Sequence, residues 1–556
     1  MIFRRRRGQA EYAVAYGAAT VPDPLVEGSR VHGTIEARNT GTTTWYRAPD
    51  DGHAVDVAVY LDGVLHATGH ILDEAAGPGA SATFSYLLDV PEAGAHSLRF
   101  DLIAQNLCFF SERGSPPKTL EVHAVPAPVG SRGEALLRVA GPRNPWFDWP
   151  THGTSRDGRG QPWPLFAKRA VGCRVTDVDG REYLDFVMGF GSALLGYAHP
   201  RIQTALRSAL DSGATLPLPH EIEMEVTEAL CAVVPCAEMV VFGKNGSDAC
   251  TAAVRLARAV TGRPYVVFCG YHGWQDWFLQ RDEFPFTRVT GTSTALAVPF
   301  AFNDIASLEA ALERHRGAVA AVMLEPAAPV EGPQGPLRDA DPPFLRAAQE
   351  LAARHGAVLV FDEILTGFRY PSGTVQRAHG VIPDLCCLGK ALGAGLPLSA
   401  LVGRAEIFRR GMEAIYYGPT FKSETLSLAA AREALAVHRD IDVPAHVARV
   451  GAALRDGVNR ICAGLGLAAE MIGPPFRLVV SFEAPAADSR LMRTLLQQEL
   501  LRRGVLTYKG FLLPSLAHDD ASIAQALEAY AGALGAVRDA IKAGSLARRL
   551  EIPPLP

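Results

Sequence analysis

Two rhythms of apolar and polar residues divide this 556-residue chain. Between residues 24 and 123 the apolar positions alternate with polar ones, as in VHGTIEAR, VDVAVYL, ATFSYLLDV and HSLRFDLIA. The turn signals NTGTT, DG and GPG separate these runs. A period of two broken by turns predicts short antiparallel strands, and strands at this spacing predict a β-sandwich. Trp45, just past Asn39-Thr40-Gly41, reads as a core aromatic. The stretch VPAPVGSRG, near 124–133, reads as a linker because proline and glycine dominate it. Residues 134–165 carry Trp146, Trp149 and Trp163 among prolines and glycines and read as an irregular lead-in.

From residue 166 the rhythm changes. VVPCAEMVVF, RPYVVFC, VAAVMLEP, AVLVFDEI and DLCCLGK are short apolar runs that predict buried strands. DACTAAVRLARAVTG and FLRAAQELAARHG repeat apolar residues at helical spacing between them. Alternation of this kind predicts a mostly parallel sheet with helices on both faces. Ligands then collect at the carboxyl ends of the strands.

Composition narrows the partners. Hydrophobic residues make up 48% and charged residues 20%, ordinary for a globular protein. The net charge of −5 sets up no global field for nucleic acid. The basic run Arg4 to Arg7 is short and terminal, and reads as part of a solvated tail at 1–23. No apolar stretch reaches the ~18 residues that cross a bilayer, and EYAVAYGAA is too short and polar for a signal peptide. The expectation is a cytoplasmic protein that binds neither membrane nor nucleic acid. The nine cysteines include no C-x-x-C pair; Cys231, Cys236, Cys250, Cys269 and Cys462 read as buried free thiols. No H-E-x-x-H spacing occurs, so no metal site is expected.

Chemistry concentrates at the predicted strand ends. Lys244-Asn245-Gly246-Ser247-Asp248 follows the strand EMVVF and precedes a helix, so its amides and the helix dipole can cradle an anion. Alone, it is equally an ordinary capped turn. Asp362 ends the apolar strand AVLVFD, where an acid needs a cationic partner or else serves as a helix cap. Lys390 follows another buried strand and precedes the small-residue loop GAGLP, an unusual setting for a solvated lysine. Tyr271-His272-Gly273 follows PYVVFC, and Ile364 lies two residues past Asp362. Glu325 ends a further strand. Pyridoxal phosphate (PLP) needs such a set: a lysine to bond its aldehyde, a carboxylate for its ring nitrogen, amides for its phosphate and flat or branched groups on its ring.

The order of these segments resembles the class III aminotransferases, and within them the glutamate-1-semialdehyde aminomutase group. The similarity covers about 163 to 540, beginning with DVDGREYLDFVMGFGSALLGYAHP. Seven further segments keep the family order: KNGSDACTAAVRLARAVTGR, CGYHGW, LEP, FDEILTGFR, DLCCLGKALGAGLPLSALVGR, GPTF and SLAHDDASI. The resemblance implies PLP fold type I, an α/β architecture with a large parallel-sheet domain (166–430) and a small domain (431–556 with part of 166–220). It implies an obligate homodimer. It implies Lys390 as the Schiff-base lysine, Asp362 at the pyridine nitrogen, Tyr271 stacked on the ring and Asn245, Gly246 and Ser247 on the phosphate. Thr420 is expected to reach the phosphate of a neighbouring subunit. The segment before it, 24–123, resembles the immunoglobulin-like modules beside bacterial surface-glycan enzymes, which hints at a glycan contact.

The chain departs from that family in three places. Lys422-Ser423-Glu424-Thr425 stands where S-G-N-P is usual, and KNGSDA where NSGTEA is common. The aminomutases place an acid just before the SLAH segment; here the stretch reads YKGFLLP, with Lys509, Gly510 and apolar residues instead. We read these as an altered substrate pocket, with Glu325 and Glu424 as candidate substrate contacts. The expected activity is transfer of an amino group from an amino-acid donor to a carbonyl acceptor, a sugar or specialised metabolite. An aminomutase or other PLP isomerase is the alternative within the same chemistry. A glycan-binding scaffold is the non-enzymatic one.

Overall fold

The computed structural model describes residues 12–550 except 22–24, 27–29, 47–53, 72–74, 105–107, 126–131, 134–135, 137–165, 280–295, 330–336 and 372. The Arg4–Arg7 run, Trp146, Trp149, Trp163 and most of the expected linker and lead-in lie outside the described residues. The chain divides into two compact units, residues 1–152 with 164–166, and residues 153–163 with 167–556.

The described part of the first unit is mostly β. Its nine-stranded sheet runs, neighbour by neighbour, through Val14–Thr20, Arg30–Asn39, Ser81–Asp89, Val64–Ile71, Val55–Leu61, Gly94–Ala104, Lys118–Val125 and Leu25–Val26. Cys108–Phe109 also pairs with Gly94–Ala104. Along this path only the pairing of Lys118–Val125 with Leu25–Val26 is parallel. Val14–Thr20, in the stretch read as a tail, is a strand of this sheet. Ser81–Asp89 keeps the expected alternation of buried and open positions, which turns Ala82, Phe84, Tyr86 and Leu88 inward. Ile35, Val57, Phe84, Phe100 and Phe110 share one core with Trp45, which is fully buried. Trp45 packs edge-on to Phe110, with centroids 5.7 Å apart. Asn39 fixes the turn before it by donating to Thr43 O and Ala76 O at 2.8 and 3.0 Å and accepting from Gly41 N at 3.0 Å.

The second unit is built on a seven-stranded sheet. Its order is Met239–Gly243, Ser399–Gly403, Leu385–Leu388, Val358–Asp362, Val319–Leu324, Tyr265–Cys269 and Ala297–Pro299. Ser399–Gly403 is antiparallel to both neighbours and the other pairings are parallel. Val358–Asp362 and Val319–Leu324 are buried at every position, as strands covered on both faces must be. The helix Gly246–Thr261 turns its small residues Ala249, Ala252, Ala253 and Ala257 into one core. A separate core joins Leu184 and Phe186 to Val450, Leu496 and Tyr530. These come from the segment after Glu182 and from the helices Val443–Leu465, Ala486–Arg502 and Asp520–Lys542. The short strand Val505–Leu506 closes that region by pairing parallel to Glu182–Asp185.

Candidate active site

Five strands of the central sheet end at one place. Met239–Gly243 delivers Lys244 to Ser247, Tyr265–Cys269 delivers Tyr271 and His272, and Val319–Leu324 delivers Glu325. Val358–Asp362 ends on Asp362 itself, and Leu385–Leu388 leads through Gly389 to Lys390. Together with Ile364 they line a cavity of about 380 Å³, large enough for a small organic ligand.

Asp362 is buried at 3% exposure, and three donors hold it. His272 Nδ1 lies 2.8 Å from Oδ2, the Cys250 thiol donates to the same oxygen at 3.3 Å, and Ile364 N donates to Oδ1 at 3.1 Å. His272 Nε2 lies 3.1 Å from Cys269 O. The neighbouring acid Glu363 does the capping that Asp362 could have done: it accepts from Val375 N at 2.9 Å and from Gln376 Nε2 at 3.1 Å. Asp362 is thereby left to the cavity.

Lys390 has a left-handed backbone, φ 42°, between Gly389 and a tight 3-10 turn. Desolvation holds its amine below the ordinary lysine range. Glu325 opposes that shift, Arg369 adds to it, Asp362 opposes it and Arg477 adds to it. Arg369 is itself buried, donating to Leu365 O at 2.7 Å and to Gly191 O. Burial brings its guanidinium down to about 10. Glu325 is the mirror case. Burial, then the Asp362 charge, push its carboxyl up to about 7, while it accepts from Tyr271 N at 2.8 Å. The site thus disfavours the charged form both of a lysine and of a nearby carboxyl, by burying them on one cavity.

The donor set fits PLP. The first turn of the helix Gly246–Thr261 leaves amides without helical acceptors, and Asn245, Gly246 and Ser247 line the cavity there. Asp248 Oδ2 holds the turn by accepting from Lys244 N and Asn245 N at 3.0 and 2.8 Å. A Cβ at Gly246 or at Gly389 would meet Ile364 at 3.0 Å, so both glycines let Ile364 pack closely where it lines the cavity. Asp362 has an acceptor position open on Oδ1 among the described residues, which suits a protonated ring nitrogen.

Nine of the residues singled out from sequence line this cavity: Asn245, Gly246, Ser247, Tyr271, His272, Glu325, Asp362, Ile364 and Lys390. Thr420 and Glu424 do not. Thr420 is exposed. Glu424, read as a substrate contact, is committed elsewhere: it pairs with Lys244 Nζ at 2.7 Å and caps the helix Thr425–Asp440 through Leu426 N and Ser427 N, both at 2.9 Å. Sequence reasoning missed Cys250, Ser192 and Leu398 in the lining, while Gly395, Leu396 and Pro397 of the GAGLP loop do line it. Cys250 lies a turn past the phosphate cradle on its own helix, the one signal that could have raised it above a plain buried thiol.

Comparison with known proteins places these observations. A sequence profile of the class-III aminotransferases matches residues 156–534. The glutamate-1-semialdehyde 2,1-aminomutase of Syntrophobacter fumaroxidans is 32% identical over 400 residues, covering 68% of this chain and 91% of that protein. The FumI protein of Sphingopyxis sp. MTA144, in its PLP internal aldimine form, superposes with a TM-score of 0.67 at 28% identity, covering 76% of this chain and 99% of that one. An omega-transaminase from Sphaerobacter thermophilus gives 0.66 at 29% identity, covering 74% and 98%.

Proposed function

The chain belongs to the class III aminotransferases and is a PLP-dependent enzyme, and from that premise we propose that it moves an amino group from an amino-acid donor to a separate carbonyl acceptor, with Lys390 and Asp362 as the groups that work on the cofactor. The observation that carries this reading is their convergence: a desolvated lysine and a buried, donor-held carboxylate on one cavity at the strand ends.

PLP, when bound, supplies the electron sink next to the amino carbon. Asn245, Gly246 and Ser247 would hold its phosphate, and Tyr271 and Ile364 would flank its ring. Asp362, oriented by His272, would pair with the ring nitrogen. Lys390 would hold the cofactor through its aldehyde, and its amine, when free, would be the base placed to accept the proton from the amino-bearing carbon. Glu325, whose carboxyl burial and then the Asp362 charge push up to about 7, is a second group on the cavity able to carry a proton near neutral pH. Thr420, exposed as are Tyr416 and Phe421, would serve the phosphate bound by a second copy in a homodimer of the kind the family resemblance implies.

Two separate substrates are favoured because the stretch before SLAH, YKGFLLP, carries Lys509, Gly510 and apolar residues and no acid. The aminomutase reading is kept by the 32% identity to a glutamate-1-semialdehyde aminomutase. Borohydride reduction of the PLP-loaded enzyme should fix the cofactor on the peptide containing Lys390, and a mass spectrum placing it on another lysine would refute the assignment. An enzyme loaded with pyridoxamine phosphate should release no product amine until a carbonyl acceptor is added. Turnover of a single amino-carbonyl substrate with no second donor would establish the aminomutase instead.

A further inference from the structure

Cys250 is buried at 1% exposure, lines the cavity and donates its thiol to Asp362 Oδ2 at 3.3 Å. The same oxygen faces His272 Nδ1 at 2.8 Å. A carboxylate oxygen offers about two good acceptor positions, so Oδ2 is saturated. Oδ1 has one donor, Ile364 N. The Cys387 thiol, then burial and the Asp362 charge, hold Cys250 well above the ordinary thiol range, so the S–H proton needed for this bond is retained.

We infer that Cys250 is a positioning residue for the cofactor: with His272 it saturates Oδ2 of Asp362 and so leaves Oδ1 as the oxygen that meets the pyridine nitrogen. This inference rests on the assignment of Asp362 as the ring-nitrogen partner. A thiol is a weak donor, so the effect is modest in size but specific in kind. It acts on the ring nitrogen and leaves the phosphate, the ring faces and Lys390 untouched.

The test compares two ligands on the full chain freed of cofactor: PLP, and its analogue in which carbon replaces the ring nitrogen. Wild type should bind PLP more tightly than the analogue. Cys250→Ala should cut that preference ~3- to 10-fold, the range of a weak hydrogen bond to a charged group, with the affinity for the analogue unchanged. Cys250→Ser, which keeps a donor, should retain the preference. If the alanine variant does not fold, Cys250→Val fills the space without a donor and serves in its place. Retention of the full preference in the donor-less variant overturns the role of Cys250 alone, as does an equal loss for both ligands. Absence of any preference in wild type overturns the Asp362 assignment and this inference with it.

Discussion

The two units of this chain bury polar groups for opposite reasons. In the first, Asn39 and Asp101 are buried because they tie turns. Asn39 spends its amide on backbone groups around Gly41, and Asp101 accepts from Ser111 N at 3.2 Å. The surrounding core is aromatic, with Trp45, Phe84, Phe100 and Phe110 all fully buried. In the second, Asp362, His272, Glu325 and Cys250 are buried around a cavity, and Lys390 and Glu325 sit away from their ordinary pKa values. Burying charge is costly, and each unit offsets that cost with donors; in the second the buried acid lines a cavity that also holds a desolvated lysine. Chemistry is therefore to be sought in the second unit, the one that the family profile spans.

The largest expected effect falls there. Lys390→Ala should lower kcat by at least ~10³-fold, since both the covalent anchor and the proton acceptor go, and a catalytic base alone contributes ~10²–10⁴-fold. PLP should still bind, so the loss should appear in single-turnover rates more than in affinity. Trp45→Ala breaks the comparison from the other side. It should destabilise the first unit by about 3–5 kcal/mol, as large aromatic deletions in cores do, without changing PLP affinity. Calorimetry reads the first quantity and cofactor titration the second. A parallel fall in PLP affinity would show that the units are not independent.

Much of this contrast was legible in the sequence, and the reasons are local. Period-two alternation reports a face buried against a core, so Ser81–Asp89 could be read strand by strand. Apolar runs ending in Asp362, Glu325 or Gly389-Lys390 report strand ends, and strand ends converge in a parallel sheet. What the sequence concealed is contact between distant segments. Cys250 looked like filler because nothing local shows that helix Gly246–Thr261 brings it against Asp362, 112 positions on. Val14–Thr20 looked like a tail because its partner, Arg30–Asn39, lies beyond a turn signal too weak to read.

Two histidines sharpen the comparison through pH. His518 is fully buried on Phe186, accepts from Ser515 N at 3.0 Å and lies 3.0 Å from Asp185 O, and burial brings it down to about 4. Its folded pKa lies below the ordinary value of 6.5, so below pH 6.5 the unfolded chain takes up a proton that the folded chain refuses. Stability should therefore fall as pH drops from 6.5 to 4, by about 3 kcal/mol from this group. Denaturant titrations of wild type and His518→Gln at both pH values isolate the contribution; equal losses in the two proteins would refute it. His96, in the first unit, has the opposite sign. The hydrogen bond to Asp62 raises its pKa, so its stabilisation is present in acid and lost as pH rises through the shifted value.

The smallest effect concerns two departures from the family that looked independent along the chain, Lys244 before the phosphate turn and Glu424 in the segment after Thr420. They are one ion pair, at 2.7 Å, with side chains 14% and 13% exposed. Burial lowers Lys244 and the pair partly restores it; for Glu424 the bonds from Lys244 and Ser427 outweigh burial and the pKa falls. The pair ties the turn before the helix Gly246–Thr261 to the N-terminus of the helix Thr425–Asp440, where Glu424 also caps two amides. If that tie is its role, Lys244→Met and Glu424→Gln should each destabilise the second unit, and a double-mutant cycle should return a coupling of about 1–2 kcal/mol. The KM for donor and acceptor should stay within about twofold in Glu424→Gln, because that carboxylate does not line the cavity. A tenfold rise in one KM with no coupling in the cycle would restore Glu424 to the substrate. It would also mean that the second unit rearranges around its ligand more than the geometry of the ion pair allows.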